Sequence, residues 1–174
     1  MLEYIKRPNY KLFVSIVFLA SVINAQYLHV VGKDVFGNDG KKIILKGMGL
    51  GGWLVPEGYM LGTWGSPTSI RNRIVELIGE DSTKTFYEKF EKNYVAEEDI
   101  VQLAEWGFNS VRLPFHYKTL SPVYGSYDEK GFTVIDSVVA WCSRSNIYLI
   151  LDMHVAPGSQ SGDENADGDE GAKL

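Results

Sequence analysis

Residues 148–154 have the sequence Tyr148-Leu149-Ile150-Leu151-Asp152-Met153-His154. Its first four residues are apolar, which predicts a strand buried on both faces, as in a parallel sheet. Asp152 and His154 stand two positions apart, so both side chains leave the same face of that strand. Ionisable groups at the carboxyl end of a parallel strand are typical of active sites in α/β barrels. The alternative is that these last residues are merely solvated.

A second short β-prone run covers residues 109–117 and contains Arg112, with Pro114 as its stop. An arginine inside an apolar strand needs an anionic partner or a ligand, because burying a lone charge costs much free energy. Asp152 on the neighbouring strand is the nearest candidate. The sequence therefore predicts that Arg112, Asp152 and His154 meet at the ends of adjacent strands.

The segments around these strands have apolar residues at the spacing typical of helices. Helices are predicted over residues 69–77, 82–90, 97–106 and 132–145, the third opened by Glu97-Glu98-Asp99 as capping carboxylates and ended by Gly107. Residues 27–31 and 42–47 are predicted as two strands that flank a turn region rich in Gly, Asn and Asp. The alternation of strands and helices predicts a parallel sheet.

A loop rich in glycine and proline covers residues 47–68 and carries Trp53, Tyr59 and Trp64. Exposed aromatic rings on such a loop can stack on the apolar faces of sugar rings, with their polar edges free for hydrogen bonds. The alternative, that the rings pack a satellite core, is equally open.

Three motifs carry a family resemblance. They are Gly47 to Leu54, Trp106 to Pro114, and Leu149 to Gly158 with its extension to Gly162. In this order they resemble the first three strands of glycoside hydrolase family 5, the cellulase family, in the form of its exo-β-1,3-glucanase branch. The resemblance implies a (β/α)8 TIM barrel, of which this chain covers about the first three β/α units. A complete barrel takes about 250 residues, and the sequence has 174.

The resemblance also implies a retaining glycosidase that cleaves O-glycosidic bonds of a β-glucan by double displacement. Such enzymes need two carboxyl groups about 5 Å apart. In the family these are glutamates at the ends of strands four and seven, the first within Asn-Glu-Pro. The 174 residues contain no Asn-Glu-Pro, so both glutamates are expected beyond the C-terminus of this chain.

Site roles follow from the same resemblance. Arg112 supports the nucleophile, Asp152 holds Arg112, and His154 hydrogen-bonds the sugar next to the cleaved bond. Substrate binding is assigned to four further residues: Glu57, Trp53, His116 and Tyr117. Gly49 stands where the family has an asparagine, a departure that affects the substrate contacts. The expected partner is a β-glucan or a related oligosaccharide, and the full-length protein is expected to be a monomer.

Residues 1–25 have the pattern of a signal peptide: a basic start, an apolar run and Ala25 as a small residue before the cleavage point. An uncleaved anchor is the alternative. The rest, from residue 26, is expected to be a secreted catalytic domain, extracellular or periplasmic. The net charge of −5 and the lack of a basic patch speak against nucleic acid or an anionic membrane as partners. Cys142, the only cysteine, is predicted to be a buried structural thiol.

Residues 163–168 match the first half of a calcium-binding EF-hand loop, but Leu174 occupies the position that requires a bidentate glutamate. A solvated acidic loop is therefore predicted, with no metal and no cofactor. The rival function is a secreted, non-catalytic carbohydrate-binding or scaffold protein on the same half-fold.

Overall fold

The computed structural model describes residues 27–123, 125–159, 161 and 166–167. The predicted signal peptide lies outside the described residues, as does most of the acidic stretch from residue 163 onward. The chain divides into two compact units, Met1–Ile43 and Ile44–Leu174.

In the first unit, three short strands form an antiparallel sheet. They are β1 (His29–Val31), β2 (Asp34–Phe36) and β3 (Lys42–Ile43), in the order β1-β2-β3. The two predicted strands are present as β1 and β3, but the prediction of a turn region between them was wrong, because this region contains β2. Gly32 has a φ of +64°, which lets the chain reverse between Val31 and Asp34 within two residues.

In the second unit, three strands form a parallel sheet in the order β4-β5-β6. They are β4 (Gly47–Gly49), β5 (Ser110–His116) and β6 (Tyr148–Val155). Both pairs are parallel, with Gly49 beside Arg112 and Arg112 beside Ile150. The predicted parallel sheet is therefore confirmed in the described residues.

Four helices connect these strands: α1 (Pro67–Ile78), α2 (Glu80–Tyr94), α3 (Glu97–Glu105) and α4 (Glu129–Arg144). Single 3-10 turns cover Gly58–Met60 and Tyr117–Thr119. Helix α1 starts two residues earlier than predicted because Ser66 caps it, accepting a hydrogen bond from the backbone N–H of Ser69 at 3.2 Å. Pro67 then fits the first helical position, where its missing N–H costs nothing.

The ends of α3 agree with the sequence prediction. Asp99 accepts a hydrogen bond from the backbone N–H of Ala96 at 2.8 Å, so this carboxylate caps the helix. At the other end Gly107 has a φ of +84°, and the N–H of Phe108 reaches back to the carbonyl of Leu103. That pattern is a Schellman motif, which requires the left-handed conformation that glycine adopts without strain.

The core lies between one face of β5 and the helices α3 and α4. Its members include Ile100, Leu103, Val111, Leu113, Ile135, Val138 and Cys142. Burying each large aliphatic side chain contributes about 1.5–3 kcal/mol, so this cluster fixes the sheet against the helices. Cys142 lies in this core as predicted.

Strand β6 departs from the prediction that both of its faces are buried. Ile150, Leu151 and Met153 are all exposed, Leu151 to 52%. Among the described strands β6 stands at the end of the sheet order and has only β5 as its neighbour. Its side chains therefore lack contacts that a strand inside a sheet would have.

None of the helices formed by the described residues has the length and apolar character needed to cross a membrane.

Candidate active site at the strand ends

Arg112, Asp152 and His154 meet at one place, as the sequence predicts. The Nη2 of Arg112 lies 2.5 Å from Oδ2 of Asp152 and 3.0 Å from Nδ1 of His154. The same Nδ1 lies 3.0 Å from Oδ2 of Asp152. The three side chains thus form a closed triangle of polar contacts, called the arginine cluster below.

Strand alternation places this cluster on the face of the sheet away from the helices. Val111 and Leu113 are completely buried in the core, whereas Arg112 between them leaves the opposite face. Asp152 and His154, two residues apart on β6, leave their strand on the same side and reach the same guanidinium. The core therefore holds the strand, and the open face carries the charges.

The sequence suggested that Arg112 is buried, and this burial is not observed. Its side chain is 46% exposed, because the described residues leave this face of the sheet open. The carboxylate partner itself was predicted correctly. In this environment the ion pair contributes less to stability than a buried pair would, so its main consequence is the placement of charge.

The chemistry of the cluster depends on how His154 shares its Nδ1. With a proton on Nδ1 the ring donates to Asp152, and without it Nδ1 accepts from Arg112. Either arrangement orients the ring. A guanidinium carries five N–H donors, so Arg112 has donors besides Nη2 that can serve an anion or a hydroxyl.

Glu57 lies in the loop after β4, where the structure brings it next to Tyr59. The hydrogen bond to Glu57, and then the charge of this carboxylate, raise the pKa of Tyr59. Trp53 has a different position in the same loop. It is only 3% exposed, and its Nε1 donates to the carbonyl of Glu91 at 2.8 Å. This favours the packing alternative for Trp53, and its role in substrate binding stays a prediction.

His116 is buried, and both of its ring nitrogens are engaged within the protein. The N–H of Lys118 donates to Nδ1 at 3.0 Å, so Nε2 carries the proton and donates to Asp167 at 3.0 Å. The ring of Tyr117 lies beside it, with 4.8 Å between ring centroids. These contacts favour a structural role for His116, whereas substrate binding by His116 and Tyr117 stays a prediction.

Sequence reasoning missed Asp167, which is buried although it falls within the stretch predicted to be a solvated acidic loop. Its carboxylate also accepts from the backbone N–H of Thr68 at 3.1 Å and from the Thr68 hydroxyl at 2.6 Å. Burial by itself would raise the pKa of Asp167, but the hydrogen bonds from His116, Ser66 and Thr68 prevail and hold it well below the usual range. The signal was Ser66-Pro67-Thr68, a helix start that attracts a carboxylate.

A cleft of about 450 Å³ lies next to His116 and Asp167 and continues along α1, α2 and the start of α4. Its wall includes Trp53, Tyr87 and Glu91. The described residues that line the cleft include no member of the arginine cluster. The cleft and the cluster are therefore separate sites. Burial raises the pKa of Glu91; the charge of Lys130 opposes this rise, and the charges of Glu88 and Asp128 add to it.

The part of the chain that the structure describes contains no group of three or more His, Cys, Asp or Glu side chains that could hold a metal ion. The EF-hand-like residues 163–165 are outside that part.

Comparison with known proteins now gives this site a context. The family described as "Cellulase (glycosyl hydrolase family 5)" matches residues 73–173. The chain is 33% identical over 143 residues to a beta-xylosidase of Phanerodontia chrysosporium, a match that covers 81% of this chain and 30% of the relative. It is 32% identical over 127 residues to a probable glucan 1,3-beta-glucosidase A of Emericella nidulans, with 70% and 31% covered. An endoglucanase C of Acetivibrio thermocellus is 42% identical over 78 residues, 41% of this chain and 23% of the relative.

Two solved structures share the fold. They are the crystal structure of rutinosidase from Aspergillus niger, with a TM-score of 0.54 and 19% identity, and that of AoRut, with 0.55 and 22%. Each match covers 71% of this chain and 36% of the solved one. This chain thus spans about a third of the length of the relatives it matches. Because the family match extends over more than half of the sequence, the chain belongs to glycosyl hydrolase family 5, the cellulase family.

Proposed function

We propose that this chain forms the first three β/α units of a (β/α)8 barrel in a secreted, retaining glycosidase that cleaves a β-glucan. The observation that carries the proposal is the arginine cluster. Arg112, Asp152 and His154 converge on the open face of a parallel sheet, with Asp152 and His154 near the carboxyl end of β6. That end is where barrels of this kind carry their chemistry.

Within such a site Arg112 supplies a fixed positive charge. Asp152 binds one edge of the guanidinium, which orients it and leaves other N–H groups to approach a nucleophilic carboxylate. A donor that is oriented before the reaction stabilises developing charge without reorganisation during it. His154, held by the same two residues, is positioned to hydrogen-bond a sugar hydroxyl next to the cleaved bond.

Double displacement requires one carboxyl group as acid/base and another as nucleophile, about 5 Å apart. Asp152 does not suit either role, since its Oδ2 is shared between Arg112 and His154. In the proposed enzyme both catalytic glutamates come from residues outside the 174 of this sequence. The arginine cluster then orients and stabilises groups in the reaction, while the two glutamates carry out the proton transfer and the nucleophilic attack.

The substrate class rests on two supports. The relatives are named a xylosidase, a glucan 1,3-glucosidase and an endoglucanase, which are glycosidases with different substrates. The motif around Gly47 to Leu54 resembles the exo-β-1,3-glucanase branch, and this favours a β-glucan over a xylan. Glu57, beside the exposed Tyr59, is the proposed contact with glucose hydroxyls.

The proposed secretion can be tested by determining the N-terminus of the exported protein. We expect removal of residues 1–25, since a basic segment, an apolar run and Ala25 stand in the order that signal peptidase recognises. Mass spectrometry of the exported protein should find Gln26 or a neighbouring residue at the start. Exported protein that keeps Met1 would contradict this.

The activity is tested by expressing the complete open reading frame that contains this sequence. Reducing-sugar release from a soluble β-1,3-glucan and a soluble β-1,4-glucan should exceed that of an Arg112→Ala variant. The absence of sugar release from a folded full-length protein would overturn the glycosidase proposal.

The second candidate is a carbohydrate-binding protein without catalysis, favoured by the exposed rings of Tyr59 and Trp64. Retarded migration in a gel that contains glucan, without any sugar release, would support this candidate. Sugar release would exclude it as the main function.

A further inference from the structure

Two of the three aromatic residues in the loop after β4 are exposed to solvent. Tyr59 is 73% exposed and Trp64 is 74% exposed, whereas Trp53 is buried. An exposed indole ring leaves a large apolar surface in contact with water, but single exposed apolar residues are common. Exposure alone therefore does not identify Trp64 as a binding residue, and its surroundings have to be considered.

Residues 57–65, called the aromatic loop below, form a closed set of turns. The N–H groups of Leu61 and Thr63 both donate to the carbonyl of Gly58, at 3.0 and 2.9 Å, and that of Met60 donates to the carbonyl of Glu57 at 3.0 Å. A Cβ atom on Gly58 would lie 2.9 Å from the Cα of Trp64, so the loop closes backbone against backbone. The indole of Trp64 thus extends from a well-connected base.

Arg73 on helix α1 holds the indole in place. Its guanidinium carbon lies 5.8 Å from the centroid of the Trp64 ring, within the range of a cation–π contact. The same guanidinium is tied to the loop, since it donates to the hydroxyl of Thr63 at 3.1 Å and to the carbonyl of Trp64. One face of the ring is therefore supported by a charged group, while most of the ring surface remains in contact with water.

Glu57 and Tyr59 add polar groups to the same loop. The Glu57 carboxylate lies close enough to Tyr59 to raise the pKa of its hydroxyl, and the lone pairs of that carboxylate can accept from hydroxyl groups. A pyranose ring presents an apolar face of C–H groups and a rim of hydroxyls. A supported indole with a carboxylate and a phenol on one loop matches both features.

We propose that the aromatic loop binds one sugar ring of an oligosaccharide, with Trp64 as the stacking surface and Arg73 as its positioning residue. The loop follows the carboxyl end of β4, and Asp152 and His154 lie near the carboxyl end of the parallel strand β6. We expect an oligosaccharide that reaches from the arginine cluster to the aromatic loop to gain the Trp64 contact, whereas a disaccharide bound at the cluster does not gain it. The identity of the ligand as a sugar rests on the proposed function.

The test is a binding titration of the complete protein with laminarihexaose and with laminaribiose, followed by tryptophan fluorescence. All proteins carry Arg112→Ala so that turnover does not consume the sugar. Trp64→Ala should weaken binding of the hexaose about five- to tenfold, the value expected for loss of one stacked ring, and should leave the biose nearly unchanged. Trp64→Phe should restore most of the affinity.

Trp106→Ala is the matched control. Trp106 is 67% exposed but lies at the end of α3, before the amino end of β5. Its removal should change neither affinity. Equal affinities of the Trp64→Ala and Trp106→Ala proteins for the hexaose, with unchanged thermal melting, would overturn the proposal.

Because the titration measures binding without hydrolysis, a protein that fails to release sugar can still support the proposal. Conversely, if proteins that keep Arg112 hydrolyse the hexaose at the same KM with and without the Trp64 ring, the aromatic-loop proposal is refuted while the glycosidase proposal stands.

Discussion

Asp152 accepts a hydrogen bond from Arg112 although the strand register does not pair these two residues. Arg112 lies beside Ile150, whereas Asp152 lies beside Pro114, two positions further toward the carboxyl end. At about 3.3 Å per residue, the guanidinium reaches about 7 Å along the sheet. The long side chain thus carries a charge from the middle of β5 to the strand ends, where a substrate can meet it.

The first prediction concerns this charge in the complete enzyme. Arg112→Ala should lower kcat by about 10²-fold or more, because it removes the oriented donor that the proposed function places near the nucleophile. Stability should change much less than kcat, since Val111 and Leu113 on the opposite face hold β5 in the core. Steady-state kinetics and thermal melting measure the two effects.

Arg144→Ala serves as the control for that variant. Arg144 also forms an ion pair, with Glu97 at 2.7 Å, but on the helical surface. Its removal should leave kcat unchanged. If Arg112→Ala unfolds the protein and the folded fraction keeps full specific activity, Arg112 is a structural ion-pair partner only.

The second prediction concerns the pH dependence of stability. The pKa of Asp167 is lowered in the folded protein, below an ordinary value of about 3.9. Its ionised form therefore stabilises the fold above that ordinary pKa, and this contribution is lost as the pH falls toward the folded-state pKa. Asp167→Asn should cost about 2 kcal/mol at pH 7, and the difference from the unmodified protein should shrink below about pH 4.

Urea unfolding of the complete protein at several pH values measures this difference. Asp39→Asn is the matched control, because Asp39 is an exposed carboxylate that pairs with Lys41 on the surface. It should change the urea midpoint little at any pH. A loss for Asp167→Asn that is the same at pH 3 and pH 7 would show that the charge of Asp167 does not stabilise the fold.

The third prediction concerns the thiol of Cys142. Burial raises its pKa to about 11, so at pH 8 only about one molecule in a thousand carries the reactive thiolate. Iodoacetamide should therefore not modify the native protein within an hour and should modify it fully in urea. Mass spectrometry detects the adduct, and Cys142→Ser gives the blank. Rapid native labelling would contradict the packed position of Cys142.

The fourth prediction concerns β6 in the 174-residue polypeptide expressed alone. Exposed apolar side chains on an unpaired strand, including Leu151 and Met153, favour association with other copies. Size-exclusion chromatography should show oligomers, and the polypeptide should not hydrolyse glucan. Leu151→Lys should increase the monomer fraction, whereas Leu77→Lys on α1, also exposed, should not. A monomer that melts cooperatively and releases sugar would refute this interpretation.

Local patterns were sufficient to predict much of the fold. The carboxylates before Ile100 and the glycine at position 107 defined α3, because caps and left-handed turns depend on residues a few positions apart. Alternation within β5 and β6 was sufficient to place Arg112, Asp152 and His154 on one face. The short strand Asp34–Phe36 was missed, since the tight turn at Gly32 looked like part of a longer loop.

Short-range periodicity and motifs were sufficient to predict the order of strands and helices from β4 to β6, the arginine cluster and the family resemblance. Which aromatic rings are buried became clear from the packing of distant segments. Trp53 and Trp64 share one loop, yet Trp53 packs against α2 through the carbonyl of Glu91 while Trp64 rests on Arg73 in solvent. The tertiary structure also brought Asp167 to His116, 51 positions apart. Such contacts depend on how distant segments pack, and because the hydrophobic effect is non-directional it does not specify which ring of one loop is buried.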